Sequence, residues 1–312
     1  MKIYYSTQGF RGVKCPVVTV GTFDGVHLGH QQIIGRLKEV AAQRGGETVV
    51  VTFEPHPRMV LTPDDKAVRL INTPARKYER LENAGVEHLI VLPFTIAFSH
   101  TPWQDFIRDV IVGQLKASYL VVGYDHRFGA GRTGSHDSLQ EMSGIYGFGV
   151  EEVEEFLVDG IEVSSTRIRK ALYRGDIGEA NRLLGYEYSI TGRVVHGNRI
   201  GHQLGFPTAN IEADDKFKLI AANGVYASRV EWGGKMYHGM SNIGVRPTIS
   251  DSKFAVEVNI FDFDEEIYDE SLTVYFVARI RDEVKFSGLP ELKIQLATDK
   301  EKVIKMLGPG KV

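Results

Sequence analysis

One cysteine in 312 residues, Cys15, leaves no partner for an intrachain disulfide, so the fold must rest on buried apolar surface; a reducing compartment suits it. Long apolar runs are missing too. The stretch Leu89-Ile90-Val91-Leu92-Pro93-Phe94 is far short of the roughly 20 residues a membrane-spanning helix needs. Met1 to Arg11 has neither the basic segment nor the apolar core of a secretory signal, and a cytoplasmic protein is expected. Neither charge sign dominates: 37 Lys and Arg against 40 Asp and Glu give a net charge of −3, which offers no reason to expect nucleic acid or an anionic membrane as partner. Internal repeats and low-complexity segments are absent, and no Gly-x-x-x-x-Gly-Lys-Ser/Thr string exists, so any kinase here is not of the Walker type. What is present is an ordinary globular composition, 43% hydrophobic and 25% charged, in a chain long enough for two domains with separate cores. Its oligomeric state is not written in the sequence.

The chain is organised around Gly21-Thr22-Phe23-Asp24-Gly25-Val26-His27-Leu28-Gly29-His30. The β-branched run Val17 to Val20 precedes it, and the helical pattern Ile33, Ile34, Leu37, Val40, Ala41 follows, which reads as strand, tight turn and a helix over Gln31 to Gln43. Unpaired N–H groups at a helix start attract anions, so the turn Gly21, Phe23, Asp24 with His27 and His30 is expected to meet phosphate. Histidines three apart share a helical face within a first turn. An imidazolium there would stabilise charge on phosphoryl oxygens during an in-line displacement. The same pair also serves as a plain surface helix cap.

This turn resembles the signature of the nucleotidylyltransferase superfamily, His-x-Gly-His after the first strand. The wider Gly-x-Phe-Asp-Gly-x-His-x-Gly-His string is similar to the N-terminal half of the bacterial bifunctional riboflavin kinase/FMN adenylyltransferase (FAD synthetase) family.

Further along, Glu47 to Phe53, His88 to Leu92 and Ser118 to Val122 read as strands, with helices around Pro74 to Ala84 and Pro102 to Val112 between them: a parallel, doubly wound sheet. Between two prolines at a strand end, His56 is a candidate contact or simply a solvated loop residue. The string Gly123 to Ser135 happens to fit the dinucleotide fingerprint from Gly129 to Gly134, but a charged segment separates strand from fingerprint and a dehydrogenase reading is set aside. By the resemblance, Asp125 belongs to the nucleotide and flavin site and Arg127 to the flavin site, while His126 stands where the family carries an aromatic residue. Ser164-Ser165-Thr166-Arg167-Ile168-Arg169 reads as hydroxyls at a helix start with an arginine one turn on, either a simple cap or a phosphate site. The resemblance makes Ser164, Ser165, Thr166 and Arg169 contacts of the ATP triphosphate, with Arg169 counted among the catalytic residues beside His27 and His30.

A short helix, Ile177 to Leu184, ends at Gly185, after which closely spaced strands and glycine turns suggest a small antiparallel barrel, followed by a helix over Leu289 to Met306. The loop Gly197 to Asn210 holds Gly197, Gly201 and Gly205, then Pro207-Thr208-Ala209-Asn210. Gly201 and its neighbours read as a phosphate-covering loop, and the oxygens of Thr208 and Asn210 suit a Mg²⁺ that also holds ATP; a glycine-rich hairpin is the plain alternative. The strings around Pro207, Ser241 to Thr248 and Val256 to Phe263 resemble the riboflavin kinase domain. Glu257 lies in an apolar strand, where a carboxylate needs a task or a partner unless it faces water. The resemblance makes it the base for the ribityl 5′-hydroxyl; Arg246 is expected as a flavin contact, and Arg281 and Lys285 near the C-terminal helix are contacts of flavin or phosphate or simply solvated.

The resemblance, which covers nearly the whole chain, implies an α/β Rossmann-like nucleotidylyltransferase domain over 1–185 and a riboflavin kinase β-barrel with a C-terminal helix over 186–312. It implies two ATP-dependent steps, riboflavin to FMN and FMN to FAD with release of pyrophosphate, using Mg²⁺. The rivals are an enzyme with one live half and a flavin-binding module without turnover. The formation of FMN and FAD from riboflavin and ATP separates all three.

Overall fold

The computed structural model describes residues 1–62, 68–124, 136–197, 200–246 and 253–308. It divides into two compact units, Met1–Ser164 and Ser165–Val312.

In the first unit six parallel strands lie in the order β1-β4-β3-β2-β5-β6: β1 (Lys2–Tyr4), β2 (Val17–Val20), β3 (Thr48–Glu54), β4 (His88–Pro93), β5 (Tyr119–Gly123) and β6 (Gly149–Val153). The central runs are β-branched throughout because both faces are covered. Alternate residues divide between two cores. Val18, Val20, Val49, Val51, Ile90, Leu92, Leu120 and Val122 pack with Phe106, Ile107, Ile111 and Leu139, whereas Val17, Val50, Leu89, Val91 and Val121 pack with Ile34, Leu37, Val40 and Leu81. The helices of this unit are α1 (Leu28–Arg44), α2 (Pro57–Leu61), α3 (Pro74–Asn83), α4 (Ile96–Ser99), α5 (Trp103–Asp105), which continues as a π-helical stretch Phe106–Gln114, and α6 (His136–Tyr146); α1, α3, the π-helical stretch and α6 supply those core residues. A hairpin of β7 (Leu157–Val158) and β8 (Ile161–Glu162) ends the unit.

From β2 the chain steps through β3 to β4 on one side, then returns to place β5 on the other. The order therefore reverses between β2 and β5, the place where open α/β sheets bind ligands beyond their carboxyl ends. Two edge strands, β1 and β6, escape the sequence reading, since edges carry polar residues such as Glu151 and Glu152 in place of a full apolar run. Helix α1 starts at Leu28, three residues before the expected Gln31, because His27 caps it.

The second unit opens with α7 (Ser165–Arg174) and α8 (Ile177–Leu184), then forms a closed antiparallel barrel in the order β10-β13-β12-β11-β14-β9. Its elements are β9 (Ser189–Val195), α9 (Ile200–Leu204), β10 (Ala209–Ala213), β11 (Gly224–Trp232), β12 (Lys235–Arg246), β13 (Lys253–Ile260), β14 (Ser271–Arg281) and α10 (Leu289–Leu307). Gly185, at φ 77°, closes α8 where the composition changes. The division into compact units falls earlier because α8 is bonded to the barrel: Asn181 Nδ2 donates to the Phe276 carbonyl at 2.8 Å and its Oδ1 accepts from the Tyr188 N–H at 2.7 Å.

Helix α10 covers one barrel face with Val303, against Met240, Ala227 and Phe261. It is fastened by a buried ion pair. Arg281 donates to Asp299 Oδ2 through Nε at 2.9 Å, with Nη2 at 2.8 Å, and Gln295 donates to Oδ1 at 2.9 Å; Asp299 has no exposed surface. Removing one member strands the other in a dry site. Asp299→Ala is expected to lower the unfolding free energy by about 3 kcal/mol in urea titrations of the full chain, and Asp299→Leu combined with Arg281→Met by clearly less.

Candidate active sites

The turn after β2 is built under constraint. Phe23 and Val26 have φ values of 49° and 36°, in the left-handed region that β-branched valine resists most, and both side chains are buried. Asp24 holds the turn in place. Its buried carboxylate accepts the backbone N–H groups of Ile71 at 3.0 and 3.1 Å and of Asn72 at 3.2 Å. The strand below is joined in through Thr52, whose hydroxyl donates to the Thr22 carbonyl at 3.2 Å, and Gly21 N–H donates to the Val51 carbonyl at 3.0 Å.

This geometry makes His27 the N-cap of α1. Its Nδ1 accepts the His30 N–H at 3.3 Å, and the two imidazoles stack with centroids 3.6 Å apart and 16° between planes. Phe23 leans on His30 at 5.0 Å. His30 Nδ1 is buried with no hydrogen-bond partner among the described residues. Burial first, then the neighbouring His27 and Lys77, hold its proton affinity well below the ordinary imidazole value of 6.5. Burial, the stacked His27 and the buried lysine all disfavour the expected imidazolium at His30. The Val163 carbonyl oxygen lies 3.4 Å from where a Cβ on Gly29 would stand, so the chain just before Ser164 runs beside the turn.

The sequence reading passed over Lys77. It is buried in α3, with Nζ 3.3 Å from both Thr52 Oγ1 and Glu54 Oε1. Desolvation lowers its proton affinity, opposed by Glu54 and Asp24. The available signal was a lysine four residues before Leu81 on the apolar stripe of α3. His56, at the end of β3, caps α2 by accepting the Arg58 N–H at 3.2 Å. Asp125 and Arg127 lie outside the described residues.

In the second unit Ser165 and Thr166 open α7, Arg169 is buried one turn on, and Arg167 pairs with Glu179 at 3.2 Å. The barrel aligns Val195, Asn210, Glu257, Asn242, Val225 and Arg281 as successive cross-strand partners over all six strands. Directly opposed residues project from the same face, so half-buried Glu257 stands between the amides of Asn210 and Asn242. That face is the one α10 packs on, since Asn259, two residues from Glu257, opposes Met240. Asn259 Nδ2 donates to the Pro207 carbonyl at 2.6 Å, tying the Pro207-Thr208 segment to β13.

Asn210 lies in the extended strand β10, and the glycine segment includes the short helix α9. Two glycines there have steric reasons. A Cβ on Gly197 would fall 2.1 Å from Asn210 Nδ2, and one on Gly201 would fall 2.3 Å from the Phe206 carbonyl and 3.4 Å from Thr208 Oγ1. The segment thus closes down on the two oxygen-bearing side chains. Arg281, expected as a flavin contact, donates through Nε and Nη2 to Asp299 and through Nη1 to the Asp282 carbonyl, which makes it a clamp of α10. Arg246 ends β12 opposite Lys253. Asn242 was within reach of the sequence, inside a string quoted for its resemblance, yet only the register sets it beside Glu257.

Residues 13–167 match the FAD synthetase family model and residues 184–307 the riboflavin kinase family model. A bifunctional riboflavin kinase/FMN adenylyltransferase from Pseudomonas fluorescens is 40% identical over 284 residues, which cover 91% of this chain and 90% of that one. The chain belongs to the bifunctional riboflavin kinase/FMN adenylyltransferase family. A Bacillus subtilis member is 37% identical over 293 residues, covering 93% and 92%. The crystal structure of a Streptococcus pneumoniae protein named a macrolide-efflux protein shares the fold, with TM-score 0.89 and 33% identity over 97% of this chain and 98% of that one. Among the described residues no helix is long and apolar enough to cross a membrane. As a family member the chain is a transferase that phosphorylates riboflavin to FMN and adenylylates FMN to FAD, with ATP as donor in both steps.

The unusual state of His30 bears on stability. Its proton affinity is lower folded than unfolded, so below pH 6.5 the unfolded chain binds the extra proton. The contribution of His30 is fully present above that value and is lost as pH falls. His30→Gln is expected to flatten the pH dependence of the urea midpoint between about pH 5 and 7.

Proposed function

We propose that FMN adenylylation takes place at the glycine turn and riboflavin phosphorylation on the barrel face that carries Glu257. The stacked imidazole pair at the start of α1, beyond the carboxyl end of β2, carries the first assignment. There an FMN phosphate oxygen attacks the α-phosphorus of ATP and pyrophosphate leaves. The unpaired His30 nitrogen donates or accepts at the phosphate oxygens, and an anion beside the ring would raise its proton affinity as charge develops. Gly21, Phe23 and Asp24 serve ATP through the shape of the turn. Ser164, Ser165, Thr166 and Arg169 are proposed as triphosphate contacts, the buried Arg169 being the one with catalytic weight; His56, Asp125, Arg127 and Arg246 are proposed for the flavin.

On the barrel, Glu257 takes the proton of the ribityl hydroxyl while that oxygen attacks the γ-phosphorus and ADP leaves. Asn210 and Asn242 orient the carboxylate from either side. Thr208 and Asn210, under the cradle that Gly197 and Gly201 leave open, present hard neutral oxygens that fit Mg²⁺ bound with ATP. The ion would supply charge neutralisation to the phosphates. The single cysteine, which suits a reducing compartment, supports a cytoplasmic location.

His30→Ala is expected to remove FAD formation and leave FMN formation intact, followed by chromatography of flavin products. Glu257→Gln should do the reverse, with FMN formation down by about 10² to 10⁴. One substitution that removed both activities would argue against separate sites. EDTA should stop FMN formation and added Mg²⁺ should restore it.

A further inference from the structure

Lys77 is the buried charge nearest the turn that the reaction as described does not use. It sits in α3 with its ammonium between Thr52 and Glu54, and among the described residues no other hydrogen bond or ion pair holds it. Thr52 in turn donates to the Thr22 carbonyl, so Lys77 reaches the glycine turn through one side chain. We propose that Lys77 is a positioning residue for adenylylation: its ammonium braces the turn through Thr52 and sets a fixed positive charge behind His30.

A buried ammonium is costly unless it has partners, and a methionine would fill the same space without that cost. The charge has two effects at the turn. It adds to the positive end of α1, where a triphosphate would lie. It also disfavours a proton on His30, together with burial and with the stacked His27. The titratable groups that act on this ring are His27 at the start of α1 and Lys77 on α3; behind Lys77 stand Glu54 at the end of β3, Asp24 in the turn and Tyr78 on α3. The two carboxylates act on Lys77, and Tyr78 is held protonated by burial and by Glu54. His30 therefore meets phosphate as a neutral ring, and the lysine keeps it so.

The inference rests on the assignment of His27 and His30 to adenylylation, and the test separates the two. Initial rates of FAD and FMN formation are measured against pH for the full chain and for Lys77→Met, Lys77→Gln and Lys77→Arg. Expected for Met and Gln is a rise of about one pH unit in the acidic limb of the FAD profile, hence about a tenfold loss on that limb, with FMN formation as in the parent. Arg should restore the parent limb. Gln can still hydrogen-bond Thr52, so it removes charge and keeps a brace. A limb that stays in place in Met or Gln, or an equal loss at every pH, overturns the inference. His30→Ala in the same assay tests the assignment on its own: full FAD formation in that variant would sink the assignment whatever Lys77 does.

Discussion

Everything in the first unit depends on a backbone turn that L-residues resist. Left-handed φ at Phe23 and Val26 costs on the order of 1–3 kcal/mol each, and the surrounding structure must over-determine it. The Asp24 carboxylate does so by accepting two backbone N–H groups, that of Ile71 shared between both oxygens and that of Asn72, charge-assisted bonds worth roughly 1.5–3 kcal/mol per donor. Burial of Phe23 and Val26 adds to that. Asp24 therefore acts on the backbone of the turn. Without it the chain would relax and neither imidazole would be placed.

Once the turn is set, the rest follows from helix physics. His27 satisfies an N–H at the start of α1, and this bond, not solvent exposure, fixes the ring. The stack with His30 then excludes water from one nitrogen and leaves it unpaired. An unpaired buried nitrogen is unfavourable in isolation and useful opposite a ligand that can engage it. The lowered proton affinity of His30 has the same origin, burial first, and residue order alone does not show it.

In the barrel the constraint is register. Sheet pairing has a period of two, so a slip of one residue on β13 would send Glu257 to the opposite face. The observed pairing sets it between Asn210 and Asn242, and Asn259 ties the Thr208 segment to the same strand. Arg281 shows the converse. As a lone arginine near the C-terminal helix it read as a ligand contact, but a buried aspartate eighteen residues away claims it. Nothing local to Arg281 announces Asp299.

Local pattern was sufficient where the physics is local. The nearly unbroken β-branched strand before Glu54, the glycine turn, the end of α8 at Gly185, the alternation of strand and helix in one half and the close strands of the other were all legible in residue order, because burial and backbone preference act within a few neighbours. The edge strands β1 and β6, the strand at Asn210, the clamp at Arg281 and the lysine behind His30 were decided only by tertiary structure. Each depends on a partner distant in sequence: a neighbouring strand that completes an edge, an aspartate on a packed helix, or a cation brought under the turn by the crossover from β3 to α3. Pairing and desolvation are properties of the assembled fold, and residue order alone does not contain them.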